Sequence, residues 1–89
     1  MTVLVRYFAA ARAATGIDEE QLDVADGTTL GELEGMLALR HPESADGQST
    51  LGAVLTRCSF LRNGIATTDR ARALSPDDRI DVLPPFAGG

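Results

Sequence analysis

The sequence predicts a small α+β domain, and three observations carry that expectation. Short runs of alternating apolar residues recur along the chain, one segment carries a helix start with an apolar stripe behind it, and turn dipeptides sit where hairpins need them. At 89 residues the chain makes one domain, able to fold alone but too small for an elaborate enclosed active site. It is 44% apolar with mean hydropathy near zero, as globular chains are.

Thr2 to Phe8 reads as the first strand. Val3, Val5 and Tyr7 make a uniformly apolar face and belong to the core. Leu4, Arg6 and Phe8 share the other face, where a charge sits between two apolar groups. Such a face suits docking, or cover by another element of the chain. Ala9 to Thr15 is Ala-rich and stops at Gly16, which predicts a short helical turn. Glu19 to Val24 alternates again, with Leu22 and Val24 inward, and Asp26-Gly27 makes a turn.

Thr29 followed three residues later by Glu32 is a capping box and opens the main helix. Leu30, Leu33 and Leu37, with Met36 beside them, give it a stripe to lie on a sheet. His41-Pro42 ends it, because the residue before proline avoids the α region. Gly31, Gly35 and Ala38 form a second, shallow face that periodicity does not explain. His41, alone at the helix end, is expected on the surface.

Glu43 to Thr50 is polar and reads as a loop, and Leu51 to Leu55 as another helical turn. Cys58 to Arg62 reads as a strand, Asn63-Gly64 as a type I′ hairpin turn and Ile65 to Thr67 as the return. Cys58 has no base beside it and is expected to be a small buried strand residue. Ser75-Pro76-Asp77-Asp78 makes a turn with proline preset at its second position. Arg79 to Leu83 is the closing strand, Ile80 and Val82 inward, Leu83 facing the other way. The order β, β, α, β, short β, β is that of a β-grasp: a mixed sheet of four to five strands with one main helix packed across it.

Residues 1–83 therefore form the domain and 84–89 a flexible tail, Pro84-Pro85-Phe86-Ala87-Gly88-Gly89. Proline fixes φ and donates no hydrogen bond, so the strand stops there. The tail, extended, reaches at most about 20 Å. Its last two residues lack a Cβ and can enter a narrow channel in another protein.

The net charge of −5 argues against nucleic acid and for a partner with a basic face. No run approaches the roughly 20 apolar residues of a membrane span, and the first residues lack a secretory pattern. One cysteine makes no internal disulfide, which fits a reducing, cytoplasmic setting. All 8 basic residues are arginine, so no side-chain amine is present for an activated carboxyl to acylate. The acids are scattered singly, with no nucleophile–base pair and no metal-ligand spacing.

Several of these motifs together resemble a known family. Tyr7-Phe8-Ala9, Arg12 four residues after Phe8, and Gly16 form its amino-terminal pattern. Asn63-Gly64 after an apolar strand, Leu74 before a tight acidic turn, Ile80 two residues beyond Asp78 and the Pro-Pro-x-Ala-Gly-Gly ending complete it. The chain resembles the small subunit of molybdopterin synthase, the MoaD family, within the ubiquitin-like sulfur carriers. Within this MoaD/ThiS group, the thiamin branch lacks the Phe-Ala…Arg start and the paired prolines. Asp77 departs from the family's usual glycine, a modest cost because Asp tolerates αL geometry. The loop 44–50 matches no motif.

The resemblance implies a ubiquitin-like fold and a non-catalytic sulfur-donor subunit whose chemistry is carried by partners. Gly89 would be adenylated by a ubiquitin-activating-type enzyme that uses ATP. A sulfurtransferase or other persulfide donor would turn it into a thiocarboxylate, and the large catalytic subunit would take the sulfur to a pterin precursor. No cofactor is expected on the chain itself. Ordering the tail costs about 1–2 kcal/mol per residue, less where prolines restrict the free chain. Phe86 is the expected anchor, returning roughly 1.5–3 kcal/mol if buried. Phe8, Ala66 and Leu83 would form the apolar centre of the docking patch with Arg6 and Arg12 at its edge. Pro84, Pro85, Phe86 and Ala87 would lead to Gly88 and Gly89. Alternatives are a carrier for cysteine or thiazole synthesis, a ubiquitin-like protein modifier, and a plain interaction domain.

Overall fold

A computed structural model describes residues 1–85. Its elements run β1 (Thr2–Tyr7), α1 (Ala9–Thr15), β2 (Glu19–Asp23), α2 (Leu30–Arg40), α3 (Leu51–Leu55), β3 (Ser59–Arg62), β4 (Ile65–Thr67) and β5 (Arg79–Leu83). The strands form one five-stranded sheet in the order β2-β1-β5-β3-β4. β1 and β5 are parallel at its centre and every other pair is antiparallel. The first and last strands thus lie side by side, and the C-terminal exit falls next to the β1–α1 corner.

Period-2 alternation decides the two faces. Val3, Val5 and Tyr7 of β1, Leu22 of β2, Phe60 of β3, and Ile80 and Val82 of β5 face one side and are buried. Leu30, Leu33 and Leu37 of α2 cover them, joined by Ala11 and Ala14 of α1 and Leu51 and Val54 of α3. Met36 stands at the rim, 37% exposed, one residue off the stripe. The Thr29 hydroxyl accepts from the Glu32 amide at 3.1 Å while Glu32 accepts from the Thr29 amide at 3.0 Å, as the capping box requires.

Both expected turns carry the required backbone. Asn63 (φ 52°) and Gly64 (φ 83°) are both left-handed, as a I′ turn demands. Asp77 has φ 65°, the αL geometry of the third position of a type II turn, which explains the use usually made of glycine there. The Asp78 carboxylate ties the two turns together. It accepts from the Asn63 side-chain amide at 2.9 Å and the Ser75 amide at 2.7 Å, and pairs with Arg62 at 2.7 Å.

Several sequence expectations change, among them the second strand, which ends at Asp23 and not at Val24. The first strand ends at Tyr7, because Phe8 is the N-cap of α1. Cys58 lies just before β3, buried, its thiol donating to the Val54 carbonyl and pushed up to about 11 by burial. The small face of α2 meets neighbours at Gly31 and Ala38, while Gly35 faces open space. A Cβ on Gly31 would meet the Arg70 carbonyl oxygen at 3.2 Å, and one on Gly52 of α3 would meet Ala38 at 3.4 Å.

The largest change concerns His41, which is not a bare surface residue. Its Nε2 lies 2.6 Å from Glu20, and its ring meets Tyr7 edge-on at 5.9 Å. Glu20 also accepts from the Tyr7 hydroxyl and from Arg40 Nε, each at 2.6 Å. The loop after Pro42 is tied back as well, the Ala45 amide donating to the Ala14 carbonyl at 2.8 Å.

Candidate docking face beside the C-terminal exit

The sheet face away from the helices carries Leu4, Arg6 and the approach to Phe8 on β1, and Arg79, Asp81 and Leu83 on β5. Pairing brings these together: Arg6 lies opposite Asp81, Asp81 opposite Leu61, and Leu83 opposite Ser59. Leu83 is the last residue of β5, and Pro84 follows it with no amide hydrogen for the ladder. The tail therefore leaves the sheet at its centre, not from an edge.

An apolar hollow of about 560 Å³ opens at this exit, lined by Phe8, Ala9, Ser59, Leu83, Pro84 and Pro85. Its wall depends on the β1–α1 corner. Phe8 is extended (φ −128°, ψ 151°), and Ala9 follows at φ 50°. A non-glycine residue in that region costs about 1–2 kcal/mol, and here it turns the chain sharply into α1. The corner holds the half-buried Phe8 beside Leu83 and the two prolines.

The charged groups around the hollow are arranged by Asp81, whose side chain is 6% exposed. Arg6 Nε stands 3.0 Å from its Oδ1 and Arg79 Nε 3.7 Å. These are charge contacts without aligned hydrogen bonds, since Asp81 Oδ1 and Arg79 Nε are both buried and accept or donate none. The Arg6 guanidinium lies over the Phe8 ring at 5.3 Å, within cation–π range.

The expected site residues divide. Phe8, Leu83, Pro84 and Pro85 meet at the hollow, with Arg6 against Phe8. Arg12 lies in an adjoining groove with Arg6, Phe8 and Ala9, its Nε paired with Asp18 at 2.6 Å. Ala66 is exposed on β4 opposite Leu61, on the same face but outside the hollow. Phe86, Ala87, Gly88 and Gly89 lie outside the described residues. Ser59 and Asp81 are not among the expected site residues, and Ala9 is expected only as part of the amino-terminal motif. Asp81 did give a signal, because alternation places it in phase with Arg79 and Leu83, but only strand pairing puts Arg6 against it.

The fold and chain match known proteins over nearly their whole length. The ThiS family matches residues 5–89. The molybdopterin synthase sulfur carrier subunit of Chlamydomonas reinhardtii is 29% identical over 100% of both chains. The human protein of the same name is 31% identical, covering 98% of this chain and 93% of its own. The solution structure of the small archaeal modifier protein 1 from Methanosarcina acetivorans superposes with a TM-score of 0.69 at 26% identity, over 99% of this chain and 96% of that one. A central parallel strand pair, three antiparallel partners and a helix crossing one face make the ubiquitin-like β-grasp, and with the match from residue 5 to residue 89 the chain belongs to the ThiS family.

Proposed function

We propose that this chain is a sulfur carrier and the small subunit of a molybdopterin synthase. The observation that carries the reading is the exit of β5 through Pro84-Pro85 beside an apolar hollow, in a ThiS-family chain matched end to end by two molybdopterin synthase sulfur carrier subunits. A carrier needs a body that docks and a terminus that reaches. The hollow offers the first, and the four residues after Pro85 end in the Gly88-Gly89 that suits the second.

A free carboxylate is a poor electrophile, so Gly89 is activated first. A ubiquitin-activating-type enzyme transfers AMP from ATP to the carboxylate and releases pyrophosphate. A persulfide sulfur displaces AMP at the acyl carbon, and reductive cleavage of the resulting S–S bond by a thiol leaves the thiocarboxylate. The large catalytic subunit then receives the tail and passes the sulfur to a pterin precursor. The acid–base and phosphate chemistry belongs to those partners. ATP is consumed on the activating enzyme, and the reducing chemistry fits the cytoplasm.

Intact mass of the untagged protein from its own host tests this. A species heavier by one sulfur-for-oxygen exchange, lost on mild hydrolysis and absent in Gly89→Ala, is expected. A Gly89→Ala chain that still carries sulfur overturns the reading. The likeness to a small archaeal modifier protein favours a second reading, a protein modifier, which predicts Gly89 joined to lysines of other proteins in the same mass spectra.

A further inference from the structure

We infer that Asp81 is a positioning residue for partner docking: through Arg6 it holds the Phe8 wall of the hollow in place, an inference that rests on the small-subunit reading above. A carboxylate buried at the middle of a sheet face is costly, unlike the acids at its β2 edge, where Glu19 lies opposite Arg6 and Asp23 opposite Thr2 and both are exposed. A carboxylate removed from water loses hydration that only close partners restore. Asp81 is held by charge alone, with Arg6 Nε at 3.0 Å and Arg79 Nε at 3.7 Å and no aligned hydrogen bond to Oδ1. Leu61 faces it from β3, so no third polar group competes for it there.

The consequence falls on Phe8. Arg6 meets the buried carboxylate at one end and the Phe8 ring at 5.3 Å from its guanidinium carbon, while Glu19, its neighbour in register on β2, is exposed and forms no ion pair with it. A long side chain with four rotatable bonds covers a ring only if something pins it, and the buried carboxylate does so. Phe8 in turn leads into the strained Ala9 corner and lines the hollow with Leu83, Pro84 and Pro85. Asp81 lies behind the docking residues and need not touch the partner. When a partner covers the face and water leaves, the Arg6–Asp81 attraction strengthens, so the ordered wall is favoured further in the complex.

The test is a double-mutant cycle on binding to the purified large subunit of a molybdopterin synthase, joined to an NMR readout on the free protein. Asp81→Asn keeps the shape and removes the charge. It is expected to weaken binding about 3- to 30-fold, and to lose that effect when Arg6→Ala is already present. The Arg6 side-chain protons, displaced upfield by the Phe8 ring, are expected to move toward their unstructured positions in Asp81→Asn, with Phe8→Leu supplying the baseline.

Unchanged affinity, an undiminished loss in the Arg6→Ala background, or an unmoved Arg6 signal overturns the inference. Should the unsubstituted chain not bind, the small-subunit reading is what falls, and the Arg6 signal alone decides for or against Asp81. Should Asp81→Asn fail to fold, Arg6→Lys decides. It leaves Asp81 a cation but takes the planar cover off Phe8, and is expected to weaken binding with melting unchanged. An Arg6→Lys chain that binds as the unsubstituted one overturns the inference.

Discussion

The Tyr7 hydroxyl donates a 2.6 Å hydrogen bond to Glu20, an acid that points toward the helical side of the sheet. Glu20 is held there by three donors, Tyr7 from β1 and Arg40 and His41 from the end of α2. Burial works to raise the Glu20 pKa, and the hydrogen bonds from Tyr7, His41 and Arg40 outweigh it, leaving the carboxyl below its ordinary value. Tyr7 shifts the other way, far above its ordinary 10.0, first by burial and then by the Glu20 bond and charge.

The signs predict losses at both ends of the pH scale. A lowered Glu20 contributes stability that is present above the ordinary carboxylate range and is lost as pH falls through its folded value. A raised Tyr7 contributes nothing adverse below pH 10, but above that the unfolded chain ionises first and stability falls. Tyr7→Phe is expected to cost about 1.5–3 kcal/mol at neutral pH and to flatten the alkaline limb. Denaturant midpoints measured from acid to alkaline pH check both.

Asp78→Asn is expected to destabilise by about 3 kcal/mol, since it strips the Arg62 guanidinium of a buried partner. Burial of Asp78 acts to raise its pKa, and bonds from Ser75, Asn63 and Arg62 outweigh it, so the carboxyl is lowered. Its contribution therefore disappears on acidification, and the variant and parent melting temperatures should converge toward low pH.

Two helix glycines should respond differently to alanine. Gly35 has open space where its Cβ would stand, so Gly35→Ala should stabilise by about 0.5–1 kcal/mol. At Gly31 the same gain is offset, because the new Cβ meets the Arg70 carbonyl oxygen at 3.2 Å, the acceptor of the Gly31 amide itself. Equal stabilisation by both, read from chemical denaturation, would contradict the packing described for α2.

Leu83→Ala and Phe8→Ala should act mainly on binding. Both side chains are half-buried in the free chain and line the hollow, so truncation is expected to weaken the large subunit about 10- to 100-fold while lowering stability by about 1 kcal/mol. Ala66, outside the hollow, should cost less than tenfold on changing to Ser. Titration calorimetry with melting curves on the same samples separates the two effects.

Local features were readable because their physics is local. The capping box at Thr29, the I′ turn at Asn63-Gly64, the stop at His41-Pro42 and the inward strand residues each follow from neighbours a few positions apart. Glu20 was readable too in principle, being in phase with the inward Leu22 and Val24, yet its partners Tyr7, Arg40 and His41 lie 13 to 21 residues away. Alternation alone shows that an acid faces in, not what receives it.

By itself the sequence determined the elements, their inward faces, the turns between them and the proline stop before the Gly-Gly ending. Tertiary structure alone decided that β1 and β5 pair in parallel, so that Arg6 meets Asp81 and Phe8 meets Leu83 and the tail exit. The reason is range. Propensity and period act over a turn or a strand, whereas a site assembled from both ends of the chain exists only once burial of a common core has chosen which strands lie together.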